Sequence, residues 1–111
     1  MAGQTDPVFR IRRLGAAGRY RIGLHAVRHM IEEGFDENHL LEALQGKIRV
    51  VEAYPEESRY LVLGRFRFTA KVTCPLHVLC DLSNQGIVDI VTAYIPRRPW
   101  WTSPTQRGRK K

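Results

Sequence analysis

The sequence lacks long apolar runs, a leader-like start and glycine-rich nucleotide loops, and each absence excludes a class of protein. No stretch of the 111 residues approaches the roughly 18 consecutive apolar residues that span a bilayer. The segment Met1 to Phe9 has neither the basic start nor the apolar core of a secretory signal. No glycine-rich loop of the Walker or Rossmann type is present, which argues against nucleotide hydrolysis and dinucleotide binding. We therefore expect a cytoplasmic protein with no membrane partner.

Cysteine is also scarce, and its placement argues against metal and redox chemistry. Cys74 and Cys80 form no CxxC pair, so a structural zinc site is not expected. If both lie on one strand, the strand holds them too far apart for a disulfide, and we interpret them as small core residues. His25 and His29 lack the glutamate of an HExxH motif, so a catalytic zinc is unsupported. We expect no metal and no cofactor.

Acidic residues are scarce at both ends of the chain, where the net charge of +7 is concentrated. Residues 1–21 carry five arginines against one aspartate, or +4, and residues 97–111 carry six basic residues and no acidic one, or +6. Residues 22–96 hold seven basic against ten acidic residues, or −3. Basic ends suit a polyanion or an acidic protein partner, and the alternative is a solubilising tail. We favour nucleic acid, because the arginines between Arg10 and Arg21 are interleaved with apolar residues.

Hydrophobic periodicity predicts a single α+β domain between basic ends. We divide the chain into a basic N-terminal segment (1–21), a folded domain (22–101) and a flexible basic tail (102–111). Within the first segment, 8–13 is expected to form a short strand or to fold against the domain. The fold class predicted is α+β, with two N-terminal helices packed on an antiparallel sheet of about four strands.

The two helices are predicted from apolar spacing and from their stop signals. The first runs from about Leu24 to Glu33 and is expected to bury Leu24, Val27 and Ile31. The second is capped by Asp36 and reaches about residue 45. After Gly46 the period changes to two, which predicts strands over 47–54, 59–72, 76–82 and 87–95, the second of them either continuous or bent at Gly64.

The first helix carries residues whose chemistry suits phosphate. His25, Arg28 and Glu32 recur at spacings of three and four, so they share a helix face. A histidine serves as acid or base near neutral pH, and an arginine one turn away can hold a phosphate with forked hydrogen bonds. The alternative is that these are ordinary surface residues.

The strands add a second set of candidates. Thr92 and Tyr94 are expected to point to one face together with Val88 and Ile90, where the hydroxyls would position a phosphate or the ring would stack on a base. The alternative is that threonine and tyrosine simply favour strands. In the second strand, Arg65 and Arg67 are expected to lie on the face opposite Phe66 and Phe68.

A histidine–aspartate pair and a pair of tryptophans are the remaining candidates. His77 and Asp81 share a strand face but lie about 13 Å apart by strand rise, which argues against a catalytic triad, as does the lack of a serine or cysteine nucleophile motif. Trp100 and Trp101 follow Arg97 and Arg98, and aromatic residues beside basic ones suit single-stranded nucleic acid. The alternative is that one tryptophan covers the sheet edge.

Several of these segments together resemble one family. The stretch from His25 and Ala26 through Arg28 and Met30 to the Glu32–Phe35 run resembles its helical opening, and the Ile48–Gly64 stretch its "YPE … LVLG" segment. Leu76-His77-Val78 and the "IVTAYIP" run with Trp100 resemble its closing strands. The match spans about 24–101, and the family is the bacterial domain of unknown function family four-two-five-eight, which is similar to the RelE- and BrnT-like toxins of type II toxin–antitoxin pairs.

The resemblance implies a small ribonuclease that needs no cofactor and is inhibited by a cognate antitoxin, with or without a zinc finger. Its substrate would be mRNA, free or on the ribosome. By position, His25 would act as acid or base, Arg28 would hold the scissile phosphate, and Thr92 with Tyr94 would orient the RNA. The residues expected to contact RNA are Arg65, Arg67, His77, Arg97, Arg98 and Trp100. The alternatives are a non-catalytic module that binds RNA or protein through its basic ends, and a structural partner whose sheet edge accepts a strand.

Overall fold

A computed structural model of the chain describes residues 6–97 and 101–108, with the side chain of Thr102 left aside. Its helices are α1 (Pro7–Ala16), α2 (Leu24–Glu33) and α3 (Glu37–Gln45), and a 3-10 turn covers Pro55–Glu57. Its strands are β1 (Tyr20–Ile22), β2 (Arg49–Tyr54), β3 (Arg59–Arg67), β4 (Thr73–Asp81), β5 (Val88–Tyr94), β6 (Trp101–Ser103) and β7 (Gln106–Arg107). The predicted α+β class is confirmed.

The finer prediction of two helices and about four antiparallel strands is wrong, because the described residues form three helices and a five-stranded mixed sheet in the order β1-β5-β4-β3-β2. β1 pairs parallel with β5, and the other neighbours are antiparallel. A strand of three residues has too little sequence for a period-two pattern, and β1 exists through its pairing with β5. Arg21 reinforces that pairing through two hydrogen bonds of 2.7 and 3.1 Å to the Asp89 carboxylate.

The segment 8–13 is helical rather than extended. The Asp6 carboxylate accepts from the Val8 amide at 3.2 Å, and Pro7 occupies the first turn, so both start signals of a helix are present. Ile11 and Leu14 are buried, and α1 packs on α3. The apolar residues between the N-terminal arginines therefore form the inner face of an amphipathic helix.

Two of the arginines of α1 are engaged with the rest of the protein. The Arg10 guanidinium donates to the carbonyls of Leu82 and Asn84, each at 3.2 Å. The Arg12 guanidinium donates to the carbonyl of Gln45 at 3.3 Å. These bonds hold α1 against the end of α3 and the β4–β5 connection, so part of the N-terminal positive charge has a structural role.

Helix α2 lies where it was predicted, but the face expected to be buried is wrong. Leu24 and Ile31 are 78% and 76% exposed, while Ala26 and Met30 are buried. α2 follows β1 directly and packs against β5, so its rotation is set by that contact and not by the most apolar stripe. The small Ala26 side chain lies at the contact between α2 and β5. With this rotation, a face of α2 other than the most apolar one is turned toward the edge of the sheet.

The end of α2 and the start of α3 follow the local signals. Gly34 ends α2 in the left-handed conformation at φ 81°. Asp36 then caps α3, since its carboxylate accepts from the His39 amide at 3.1 Å while His39 Nδ1 accepts from the Asp36 amide at 3.1 Å. Gly46 follows α3 with a negative φ of −86°, so it does not take the left-handed conformation that Gly34 takes after α2.

A bulge in β5 changes which residues share a face. The β4–β5 pairing runs Leu79↔Thr92 and Cys80↔Ile90, so Val91 is an extra residue. Val88 and Ile90 therefore point into the helical core, while Thr92 and Tyr94 point to the opposite face of the sheet. The prediction that all four share one face is wrong for this reason, although Thr92 and Tyr94 do share one.

The core lies between the helices and the sheet. Its buried members come from all three helices and from β3, β4 and β5, and include Ile11, Leu14, Ala26, Met30, Phe35, Leu40, Leu44, Val62, Phe66, Leu76, Val78, Cys80, Val88 and Ile90. Both cysteines are free, and burial raises the pKa of the Cys80 thiol to about 12, so it stays protonated at neutral pH. β3 is a single strand that continues through Gly64, with Arg65 and Arg67 exposed.

The other face of the sheet is covered by a hairpin, β6–β7, within the region expected to be a flexible tail. Trp101 is 3% exposed and its ring meets the His77 ring edge-on at a centroid distance of 4.2 Å. The Arg107 guanidinium lies 4.4 Å from the centre of the Trp101 ring and donates to the Glu52 carboxylate at 2.8 and 3.1 Å. Arg98 and Trp100 lie outside the described residues.

Substituting Gly64 with alanine is expected to destabilise the protein by about 1–3 kcal/mol or more. A Cβ on Gly64 would lie 2.6 Å from the Ala43 carbonyl oxygen, so α3 would have to move away from β3. Gly86→Ala is the matched control, since the nearest atom to its Cβ is 3.8 Å away. Urea unfolding measures both, and equal losses would contradict the close approach of α3 to β3.

Candidate functional site

The end of β1 opens a cavity at the edge of the sheet. The Gly23 amide donates to the Ile90 carbonyl at 2.9 Å as the last contact of β1, and α2 starts at Leu24. A Cβ on Gly23 would lie 3.2 Å from the same carbonyl oxygen, which suits glycine at this turn. Beyond Ile90, β5 is therefore flanked by α2, and the C-terminal hairpin lies on its other side. The cavity between them has a volume of about 550 Å³ and is lined by His25, His29, Glu33, Thr92, Tyr94, Ile95, Arg97, Trp101 and Arg107.

Glu33 joins the helical wall of the cavity to the strand wall. One carboxylate oxygen accepts from the Ile95 amide at 2.8 Å, and the other lies 3.5 Å from His29 Nδ1. At that distance the carboxylate orients the imidazole without a full hydrogen bond, and among the described residues Nδ1 has no hydrogen-bond partner. Glu33 therefore fixes the end of β5 and lies behind His29, on the Nδ1 side of its ring.

The two histidines of the helical wall lie together. The rings of His25 and His29 meet edge-on with centroids 4.9 Å apart, and the His29 ring lies 6.3 Å from that of Tyr94. His25 is exposed, while His29 is half-buried. One imidazole is thus at the mouth of the cavity and the other deeper, so a substrate group that reaches both rings from within the cavity can meet an acid and a base.

Behind the strand wall, His77 fixes the orientation of the Tyr94 hydroxyl. His77 Nε2 lies 2.5 Å from the Pro104 carbonyl oxygen, which can only accept, so Nε2 carries the proton. His77 Nδ1 is then an acceptor, and the Tyr94 hydroxyl, 3.2 Å away, donates to it. The Trp101 indole donates to the Tyr94 oxygen, so one lone pair of that oxygen is left to accept a hydrogen bond from a ligand. Burial raises the pKa of Tyr94, so the phenol stays neutral.

Thr92 and the two arginines complete the strand and hairpin side. The Thr92 hydroxyl is buried and has no hydrogen-bond partner among the described residues. Arg97 is exposed at the cavity, and Arg107 uses two of its five N–H donors on Glu52. Guanidinium groups beside an unpaired hydroxyl form a site suited to an anion such as a phosphate.

The sequence-predicted residues that the structure describes divide into three groups. His25, Thr92, Tyr94 and Arg97 line the cavity. Arg28 is exposed on α2, and Arg65 and Arg67 are exposed on β3, and none of the three lines it. His77 has no exposed surface, so its predicted direct contact with RNA is replaced by support of Tyr94 from behind.

The sequence did not identify His29, Glu33 or Arg107 as site residues, and for Trp101 it left open stacking on nucleic acid and packing on the sheet edge. The signal for the first two was present, since His25, His29 and Glu33 recur every four residues on one face of α2. Arg107 was assigned to a flexible tail, and only the hairpin brings it to the cavity. Among the described residues, no group of three histidine, cysteine, aspartate or glutamate side chains is arranged to hold a metal ion.

The burial of His77 predicts a pH dependence of stability. Burial lowers the pKa of His77 below its usual 6.5, with the Arg107 charge acting in the same direction. Below about pH 6.5 the unfolded chain then binds more protons than the folded one, so the free energy of unfolding should fall as the pH drops from about 7 to about 5. The pKa of Glu52 is lowered from its usual 4.5, and that of Asp81 from its usual 3.8. Both carboxyl groups therefore titrate below this pH range.

Urea unfolding across this pH range measures the effect. His77→Gln keeps a donor for the Pro104 carbonyl but does not titrate, so its free energy of unfolding should change less between about pH 7 and about pH 5 than that of the parent. An equal pH dependence in both proteins would contradict a neutral, buried His77.

The fold and the cavity define an α+β protein with a polar site at the edge of a mixed sheet, where imidazole, carboxylate, hydroxyl and guanidinium groups converge. Residues 22–95 match the family model described as "Domain of unknown function (DUF4258)". Since the match covers more than half of the chain, the chain belongs to this family, and the resemblance found in its motifs is confirmed. No curated protein and no solved structure matches the chain. None of the described helices is long and apolar enough to cross a membrane.

Proposed function

We propose that this chain is a metal-independent endoribonuclease and the toxin component of a type II toxin–antitoxin pair. The convergence of His25, His29, Arg97 and Arg107 on one cavity, with the Thr92 and Tyr94 hydroxyls opposite, is the observation that carries the proposal. RNA cleavage without a metal requires a base, an acid and a cation beside the phosphate, and this cavity holds all three types of group.

The reaction follows from the placement of these groups. His29, backed by Glu33, takes the proton of the ribose 2′-hydroxyl, and the 2′-oxygen forms a bond to the adjacent phosphorus. The bond from phosphorus to the 5′-oxygen of the next nucleotide breaks, and His25 protonates that leaving oxygen. The products are a 2′,3′-cyclic phosphate and a free 5′-hydroxyl, so no water and no oxidant enters this step.

The remaining residues hold the reacting phosphate and ribose. Arg97 and Arg107 neutralise the charge that grows on the phosphate oxygens, in place of Arg28, which lies outside the cavity. The Tyr94 oxygen, whose proton is directed to His77, accepts from the 2′-hydroxyl of a neighbouring nucleotide, and the Thr92 hydroxyl, which has no partner among the described residues, donates to a phosphate oxygen.

Cellular context belongs to the same proposal. We place the chain in the cytoplasm, related to RelE- and BrnT-like toxins, with mRNA as substrate and a cognate antitoxin, with or without a zinc finger, as inhibitor. The net charge of +7 supports an RNA substrate.

A non-catalytic module that binds through basic ends is the competing function. Arg10, Arg12 and Arg21 weigh against it, because each is bonded to the protein itself. That alternative predicts salt-sensitive RNA binding without any product.

Cleavage of a labelled RNA by the purified chain in excess EDTA tests the proposal. Fragments ending in a cyclic phosphate are the expected result. If free RNA stays intact, the second arm is the same RNA on ribosomes in a magnesium buffer, because ribosomes dissociate in EDTA and a ribosome-dependent toxin would cleave only there. Intact RNA in both arms would refute the endoribonuclease proposal.

A further inference from the structure

We propose that a second cavity beside the first binds one nucleobase of the RNA and selects a base with an exocyclic amino group. The inference rests on the proposed function, because it assigns the substrate specificity of that same site. This cavity has a volume of about 220 Å³ and is lined by Glu52, Tyr54, Leu61, Leu79, Thr92, Tyr94 and Arg107.

The two cavities share a wall. Thr92, Tyr94 and Arg107 line both of them, and the second lies on the sheet face that points away from the helices. A phosphate beside Arg107 in the first cavity therefore lies next to the entrance of the second. A nucleotide bound across this wall places its phosphate on one side and its base on the other.

The shape and lining of the second cavity suit a flat aromatic ring. Leu61 and Leu79 provide an apolar floor, and the partly exposed Tyr54 ring stands beside it. Proteins that read single-stranded RNA hold unstacked bases against such aromatic and apolar surfaces and bond the polar edge of the base. A cavity of this volume takes one base and excludes a folded helix of RNA.

Glu52 supplies the polar edge, and its acceptor positions can be counted. A carboxylate accepts only, at about four lone-pair positions. On Oε1, the Tyr54 hydroxyl at 2.5 Å and Arg107 Nη2 at 3.1 Å fill both, while on Oε2 Arg107 Nε at 2.8 Å fills one. Among the described residues no donor fills the second acceptor position on Oε2, which is left for a ligand.

Thr92, in the shared wall, gives a further sign of a ligand. The residue lines both cavities, and its hydroxyl is buried and without a hydrogen-bond partner among the described residues. Buried hydroxyls are usually paired, so an unpaired one at a cavity wall indicates a group that the bound substrate satisfies.

The acceptor on Glu52 determines which base fits. Cytosine, adenine and guanine each carry an exocyclic amino group that can donate to the carboxylate. Uracil offers one ring N–H flanked by two carbonyl oxygens, which would face the negative charge of Glu52. The site therefore disfavours uracil.

Binding separates this inference from the proposed catalysis. The probes are short fluorescent oligodeoxynucleotides of deoxyuridine with a single central deoxycytidine, deoxyadenosine or deoxyguanosine, because a strand without 2′-hydroxyls cannot be cleaved by the proposed reaction. The parent should bind at least one of the amino-bearing probes about tenfold more tightly than the all-deoxyuridine probe.

Three variants locate the preference. Glu52→Gln should remove it, and Leu79→Phe, which fills the cavity, should bring the affinity for the preferred probe down to that for all-deoxyuridine. Arg107→Gln is the matched control, since it breaks the same ion pair but leaves the Glu52 acceptor. It should weaken binding of all probes and keep the preference, and thermal unfolding of each variant shows that it folds.

The outcomes separate the two claims. Equal affinity of the parent for all probes, or equal loss of preference in Glu52→Gln and Arg107→Gln, would overturn the base site whatever the cleavage assays show. A preference that depends on Glu52 in a protein that cleaves no RNA would support the base site and refute the proposed catalysis.

Discussion

Replacing His25 with alanine is expected to slow RNA cleavage about 10²- to 10⁴-fold, the usual contribution of a general acid or base. His25 is exposed at the mouth of the cavity and contacts the His29 ring, so its loss removes an acid without opening the core. Single-turnover rates on one labelled RNA give the effect directly. His29→Ala is expected to fall in the same range, because the proposed reaction needs both imidazoles.

Two other positions on α2 provide controls for this experiment. Ile31→Ala is the matched control, since its side chain is 76% exposed on the outer face of the helix, and it should cleave at the rate of the parent. Arg28→Ala tests whether the positive charge beside the phosphate comes from α2 or from the arginines of the cavity. A loss as large as that of His25→Ala would place the phosphate on the outer face of α2 and contradict the cavity assignment.

Replacing Trp101 with alanine is expected to lower the free energy of unfolding by about 3–5 kcal/mol, the usual cost of deleting a buried tryptophan side chain. Trp101 is 3% exposed between the His77 ring and the Arg107 guanidinium. Its removal leaves a void over the sheet and exposes His77. Urea unfolding monitored by far-ultraviolet circular dichroism measures the loss.

Phe9 provides the comparison for an aromatic residue that is not packed. Its ring is 58% exposed, and Phe9→Ala should change the free energy of unfolding by no more than about 0.5 kcal/mol. If Trp101→Ala cost no more than Phe9→Ala, the hairpin would not be docked on the sheet, and the assignment of Arg107 to both cavities would fail with it.

Local signals account for the parts of the fold that could be predicted. Asp36 caps α3, Gly34 ends α2, and period-two alternation marks the long strands. Each of these features depends on residues that are neighbours in the chain. The start of α1 is also encoded locally, in Asp6 and Pro7. The arginines of this segment nevertheless suggested nucleic-acid binding, and an amphipathic helix was not predicted.

The remaining features depend on contacts between distant segments. β1 is stabilised by its pairing with β5, and the rotation of α2 is set by packing that buries Ala26 and leaves Leu24 exposed. The bulge at Val91 inverts the faces of half of β5 and has no sequence signature of its own. Periodicity within one segment cannot report any of these.

The candidate site, like the fold, could be predicted only in part from the sequence. His25, Thr92 and Tyr94 were selected for their chemistry, and the fold brings them to one cavity. Glu33 joins them only because α2 turns that face toward Ile95, and Arg107 only because the hairpin returns over the sheet. The residues that orient the site could therefore not be predicted from the sequence, while several residues that could act in it were predicted.

The most direct measurement is cleavage in EDTA of an RNA in which one nucleotide, at a bond the parent cuts, is replaced by its 2′-deoxy form. We predict that cleavage stops at that bond alone and continues elsewhere, because the 2′-oxygen is the attacking group. Continued cleavage at the deoxy position, or cleavage that appears only when magnesium is restored, would contradict a metal-independent reaction driven by His25 and His29.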